Sequence, residues 1–182
     1  MALTKLDRKF RVFRHGTISD WDRAHTAAAD GSLVEKVQVS LASGHEAMNP
    51  STAVGTKAGS FSVVLVASSA EIGIYHQSIE GPAVIGGSSA PRASVEEKGL
   101  WDINESTAGQ VNDFGLVPND NSSVTIKYKG GESESVPVIN NVVAVSGPRT
   151  GKAPEAATYD NAEGQSITVP LPVPGPAPGS TG

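Results

Sequence analysis

The chain has 182 residues, no cysteine and a net charge of −5, and 38% of it is apolar before its 20 glycines are counted. That suits one domain of roughly 100–150 residues with a tail or linker. The missing cysteines exclude disulfides, thiolate catalysis and cysteine-held zinc; the acidic balance argues against nucleic acid as the main partner, because phosphate binding needs a clustered positive field.

The charge is uneven. Residues 1–25 carry Lys5, Arg8, Lys9, Arg11, Arg14 and Arg23 against Asp7, Asp20 and Asp22, a local +3 that leaves −8 for the remainder. Residues 1–18 therefore read as a basic N-terminal arm, solvated in the plain reading and able to touch an anionic surface in the functional one. "MALTKLDRKFRVFRHG" has no apolar stretch of the signal-peptide kind. The chain as it stands is expected in the cytoplasm, and in the envelope or secreted if the true start lies upstream. The longest apolar runs, "FSVVLVA" and "VVAV", fall short of the ~20 residues that span a bilayer.

Ser19-Asp20-Trp21-Asp22 reads as a helix start, with Ser19 as cap and the aspartates at the positive end of the dipole. That helix runs to Gly31, a suitable C′ residue. "SLVEKVQVSLASG" fits a helical face through Leu33, Val34, Val37 and Leu41 and a strand through Val37, Val39 and Leu41; helix or a mixed segment is preferred. "HEAMNPSTAVGTKAG" reads as a loop. "SFSVVLVASS" and "EIGIYHQ" read as an antiparallel hairpin turning at Ser68-Ser69-Ala70. "PRASVEEKG" is a short helix from Pro91 to Gly99, and "LWDI" and "QVNDFGLVP" are extended. Val124, Ile126 and Tyr128 alternate with Thr125 and Lys127, which is a half-buried strand. "KGG" turns, Val136 and Val138 resume the alternation, and Val142, Val143 and Val145 close it.

The fold class expected is α+β, predominantly antiparallel β, as a small sheet or sandwich with one or two short N-terminal helices and a short mid-chain helix. Residues 19–145 form the single domain. Residues 146–182 hold seven prolines and read as an extended or disordered tail, because proline lacks the backbone donor.

Chemistry is harder to place. His15, His25, His45 and His76 show no paired metal spacing and read as surface or edge residues. Gly86-Gly87-Ser88-Ser89 precedes a helix but lacks the lysine and glycine spacing of a phosphate loop, so it reads as a flexible loop. Glu96-Glu97 and Glu132/Glu134 lie on a helix and a turn, where carboxylates are usually there for solubility. Asp113, Asn119, Asp120 and Asn121 make an oxygen-rich group around Pro118. Oxygen suits calcium, but Asn and Asp are also what a turn needs. Trp101 and Phe114 read as core. No cofactor and no metal is expected.

"GLVPND" and the residues after it resemble a segment of uncharacterised actinobacterial proteins in which "GLVPDG" leads into a strand, a Gly turn and a second strand. The matching residues are Gly115, Leu116, Val117, Pro118, Val124, Gly130-Gly131, Val138, Asn141 and Val142; Asn119-Asp120-Asn121 departs from the pattern. "FRVFRHGTISDWD" is similar to the family's N-terminal segment through Phe10, Val12, Phe13, Arg14, Thr17 and Asp20. The resemblance implies a high-GC Gram-positive origin and relatives with a membrane segment or signal ahead of the domain. It also implies relatives with cysteines near the positions of Gly73 and of "PAVIGGSSA". It brings no activity and no catalytic residues.

The function expected is a non-catalytic structural or binding module, envelope-associated in relatives, with an unidentified protein as possible partner. Two alternatives stand beside it. One is an interaction protein working through the basic arm or the Pro-rich tail. The other is a small-ligand binder or enzyme whose site gathers Asp113, Asp120, His76 or Ser88.

Overall fold

A computed structural model describes residues 6, 8–14, 54–58, 61–78, 85–105, 109–148 and 152–171. The expected helix from Ser19 and the ambiguous segment from Leu33 lie outside them. The described residues are mostly antiparallel β in three small sheets, with one short helix and a 3-10 turn.

The first sheet is a meander of β1 (Val54–Ala58), β2 (Phe61–Ala67), β3 (Glu71–Ser78) and β4 (Ile85–Pro91). The expected hairpin is its centre: β2 and β3 pair in register from Phe61↔Ser78 to Ala67↔Ile72. Ser68 closes the turn, its Oγ accepting the N–H of Ala70 and Glu71. Two expectations are corrected here. The loop from His45 gives way to strand β1 at Val54–Ala58. Gly86-Gly87-Ser88-Ser89 is strand β4 rather than a flexible loop. Glycine is needed at position 87 because a Cβ there would sit 2.4 Å from the Tyr75 ring.

Helix α1 (Arg92–Lys98) follows Pro91 and ends at Gly99. Gly99 has φ of +82°, and a Cβ there would meet the Leu116 carbonyl at 2.4 Å, so the chain can turn tightly from α1 into the next strand only with glycine. Strands β5 (Leu100–Glu105), β6 (Gln110–Leu116) and β9 (Val142–Pro148) form the second sheet in the order β5-β6-β9. Strands β7 (Ser123–Tyr128), β8 (Ser133–Pro137), β10 (Pro154–Asp160) and β11 (Ser166–Pro170) form the third in the order β11-β10-β7-β8.

The second sheet is the middle layer, buried on both faces. Leu100, Phe114, Leu116 and Val142 pack with Val63, Leu65, Ile72, Ile74 and Val95 towards the first sheet. Trp101, Ile103, Val143 and Val145 pack with Val124, Ile126, Tyr159 and Leu171 towards the third. The period-2 alternation expected for Val124, Ile126 and Tyr128 holds, with those three buried and their neighbours exposed.

Two boundaries move. The expected solvated arm supplies Leu6, Phe10 and Val12 to the first core cluster, all at most 2% exposed. These apolar residues bury, while the cations between them stay at the surface: Arg11 reaches Asp120 at 3.1 Å and Lys9 reaches Glu163 at 3.7 Å. The expected tail is also shortened. Residues 154–170 form β10 and β11, with Leu171 buried beyond them. Pro170 is tolerated because it ends an outer strand, where a missing donor costs no ladder bond.

Candidate functional site

Buried polar side chains gather at the middle sheet and on the strand that packs against it. His76 on β3 and Asp102 on β5 meet at 2.8 Å, Nε2 to Oδ2, with both residues almost fully buried. Phe114 stacks on the imidazole with centroids 4.0 Å apart, and Phe61 meets Phe114 edge to face at 4.9 Å. His76 is therefore a core residue, not the surface or edge residue expected. The period-2 pattern of β3 already placed it beside Ile72 and Ile74, but a histidine needs a buried acceptor to go inside, and Asp102 lies on another sheet.

Asp113 lies on the opposite face of the same sheet, across from Ile103 and Val145. It is 0% exposed and neither carboxyl oxygen has a hydrogen-bond partner. Burial, reinforced by the negative charge of Asp102, raises its pKa to about 7. Asp113 is thus no part of the turn at Pro118, and the structure does not bring it together with Asn119, Asp120 and Asn121.

Those three have structural work. Asn119 Oδ1 accepts the N–H of Arg11 at 2.7 Å and its Nδ2 donates to the Arg8 carbonyl at 2.6 Å. Asn121 Nδ2 donates to the Asp160 carbonyl at 2.8 Å, and its Oδ1 accepts the Asp160 N–H at 2.9 Å. Asn141 repeats the pattern, accepting the Val12 N–H and donating to Val117. The amides join the arm, the second sheet and the third. Asp120, at φ of +71°, is exposed and pairs with Arg11. Among the described residues no three His, Asp or Glu side chains are grouped to hold a metal ion. Ser88 carries a buried hydroxyl without a partner, on β4 opposite Ile74.

A cavity of about 400 Å³ lies elsewhere, at the open side of the space between the second and third sheets. Its walls are Trp101 and Ile103 of β5, Tyr159 of β10, and Ile167, Val169 and Pro170 of β11. Helix α1 closes one end with Ser94, Glu97 and Lys98. Both β5 and β11 are end strands of their sheets. The two aromatics are fixed: Trp101 Nε1 donates to the Tyr159 hydroxyl at 3.2 Å, and that hydroxyl donates to the Lys98 carbonyl. Burial pushes the Tyr159 pKa up to about 12. The phenol therefore stays protonated at neutral pH and offers no base. The groove presents aromatic and aliphatic side chains together with the polar Ser94, Glu97, Lys98, Asn161 and Thr168.

The sequence marks Trp101 as core and does not single out Tyr159. The two lie 58 positions apart, and only the stacking of β5 over β10 and β11 brings them together. Comparisons with protein-family models, with curated proteins and with solved structures found no match.

Proposed function

We propose that the chain is a binding module that takes a largely apolar ligand in the groove between α1, β5 and β11. The groove itself carries this reading. Its volume of about 400 Å³ falls within the roughly 300–1,000 Å³ of small-ligand pockets. Its lining is chiefly aromatic and aliphatic with a small number of polar side chains, the usual composition of such pockets. The buried polar groups support a non-catalytic role. His76, Asp102 and Asp113 are each less than 9% exposed, so a substrate meets none of them without opening the core.

The test uses N-phenyl-1-naphthylamine, an uncharged fluorophore of suitable size, on the full chain. The expected result is a saturable fluorescence gain, with a shift of the Trp101 indole N–H resonance assigned by comparison with Trp21→Phe. Ser94→Arg places a long side chain at the mouth and should weaken binding at least tenfold, while the circular dichroism melt stays unchanged; arginine is a good helix former at that position. A gain that does not saturate, or equal affinity in Ser94→Arg with no shift at Trp101, defeats the reading.

A further inference from the structure

We infer that the Pro-rich C-terminal segment of this chain, Pro172–Gly182, is the groove's own occupant, docked against Trp101 and Tyr159 and competing with other ligands there. The inference rests on the proposed binding role of the groove.

The last described residues deliver the segment to the groove. Pro170 lines it, and Leu171 is anchored next to it, buried in the core with its N–H bonded to the Glu155 carbonyl at 2.8 Å. Eleven residues remain, "PVPGPAPGSTG". At about 3.1 Å per residue in polyproline form they reach roughly 34 Å. The groove runs along the four residues Ile167 to Pro170, or about 13 Å of strand. The segment is long enough to turn back and cover it.

Its chemistry also fits. Pro172–Gly182 contains four prolines and no charged side chain. Proline-rich segments dock on aromatic-lined grooves because their extended form costs little entropy to fix and their rings pack on flat aromatic faces. Trp101 and Tyr159 are the aromatic side chains that line this groove, with their own donors already used. A proline-rich segment offers carbonyls and few N–H groups, so it needs donors. The outer edge of β11 has one. Leu171 bonds inwards to β10, so by the alternation of an antiparallel ladder Val169 and Ile167 do too, and the Thr168 N–H faces the open side. The missing donor of Pro170 falls on that same open side.

A short tether holds such a segment at an effective concentration of about 1 mM, so a segment that binds with a Kd near 0.1 mM weakens a competitor roughly tenfold. The experiment compares the full chain with a chain ending at Leu171, both carrying Trp21→Phe. The shortened chain retains all eleven described strands. The expected result is a displaced Trp101 indole resonance and about tenfold tighter N-phenyl-1-naphthylamine binding in the shortened chain. Adding the synthetic peptide Pro172–Gly182 should return the resonance towards its full-chain position and displace the fluorophore. Identical resonances and equal affinities in the two chains overturn the inference. If the fluorophore still binds and still responds to Ser94→Arg, the binding reading survives that outcome. A Trp101 resonance in the full chain that moves with protein concentration assigns the segment to a second copy and overturns docking within one chain.

Discussion

Asp113 gives the core a pH dependence. Its carboxyl is buried among Ile103 and Val145, with Asp102 behind it on the other face of the sheet and Tyr128 as the titratable group facing it from the third sheet. A carboxyl whose folded pKa is raised from 3.8 to about 7 binds a proton more tightly folded than unfolded. Between those values the folded state holds the proton and the unfolded state has lost it. The contribution of Asp113 to stability is therefore full below about pH 4, falls as pH rises to about 7, and is level above. At about 1.4 kcal/mol per unit the fall is at most roughly 4 kcal/mol. Urea denaturation at pH 5 and pH 7.5 should give a lower midpoint at the higher pH, and Asp113→Asn should remove most of the difference. A wild-type midpoint that does not change with pH, or a variant with the wild-type slope, contradicts the burial argument. His76, reaching the other face of this sheet from β3, shows the contrasting arrangement, because its ring nitrogen has the Asp102 carboxylate at 2.8 Å.

At the scale of elements, the groove depends on how close β6 lies to Trp101. Gly115 is opposite Trp101 in the β5–β6 pair, and a Cβ built on it comes within 2.7 Å of the indole ring. Gly115→Ala must therefore push the indole outward, into the groove. Overpacking of this kind costs roughly 1–3 kcal/mol. The expected outcome is a lower melting temperature together with a shifted Trp101 emission and weakened fluorophore binding. Unchanged emission would mean that β6 moves and the indole does not. This dependence could not be read from "FGLVP". The hairpin of β2 and β3, helix α1 and the alternation of β7 were legible because each leaves a local trace: a turn residue, a cap or a period of two. Gly115, Tyr159, His76 and Asp113 take their roles from neighbours on other strands or sheets. The Asn119-Asp120-Asn121 run was legible as a turn, and its two asparagines proved to be the clamps between layers. What hid the strands β10 and β11 was proline, which marks a strand's end or outer edge as readily as it marks a tail.

At the scale of the whole molecule, both ends of the fold are structural, and this determines which truncations are informative. Removing everything after residue 146 to test the Pro-rich segment would delete β10 and β11, and with them Ala157, Tyr159 and Leu171 from the second core cluster. The third sheet would lose two of its four strands, including β10, which joins β11 to β7. The N-terminal end poses the same problem. Phe10 is fully buried, meets Phe13 edge to face at 6.3 Å, and is held there by the Asn119 bonds to Arg8 and Arg11 on either side. Phe10→Ala leaves a cavity at a site whose backbone is tied on both flanks and cannot collapse freely, so a loss of about 3–5 kcal/mol is expected. For a domain of ordinary stability, roughly 5–15 kcal/mol, that is a large share. The measurement is the urea midpoint of Phe10→Ala against Arg8→Ala. Arg8 is exposed, and its clamp bond uses the backbone carbonyl, which the substitution keeps. A solvated arm would leave both variants within about 0.5 kcal/mol of the wild type. A docked arm separates them by several kcal/mol.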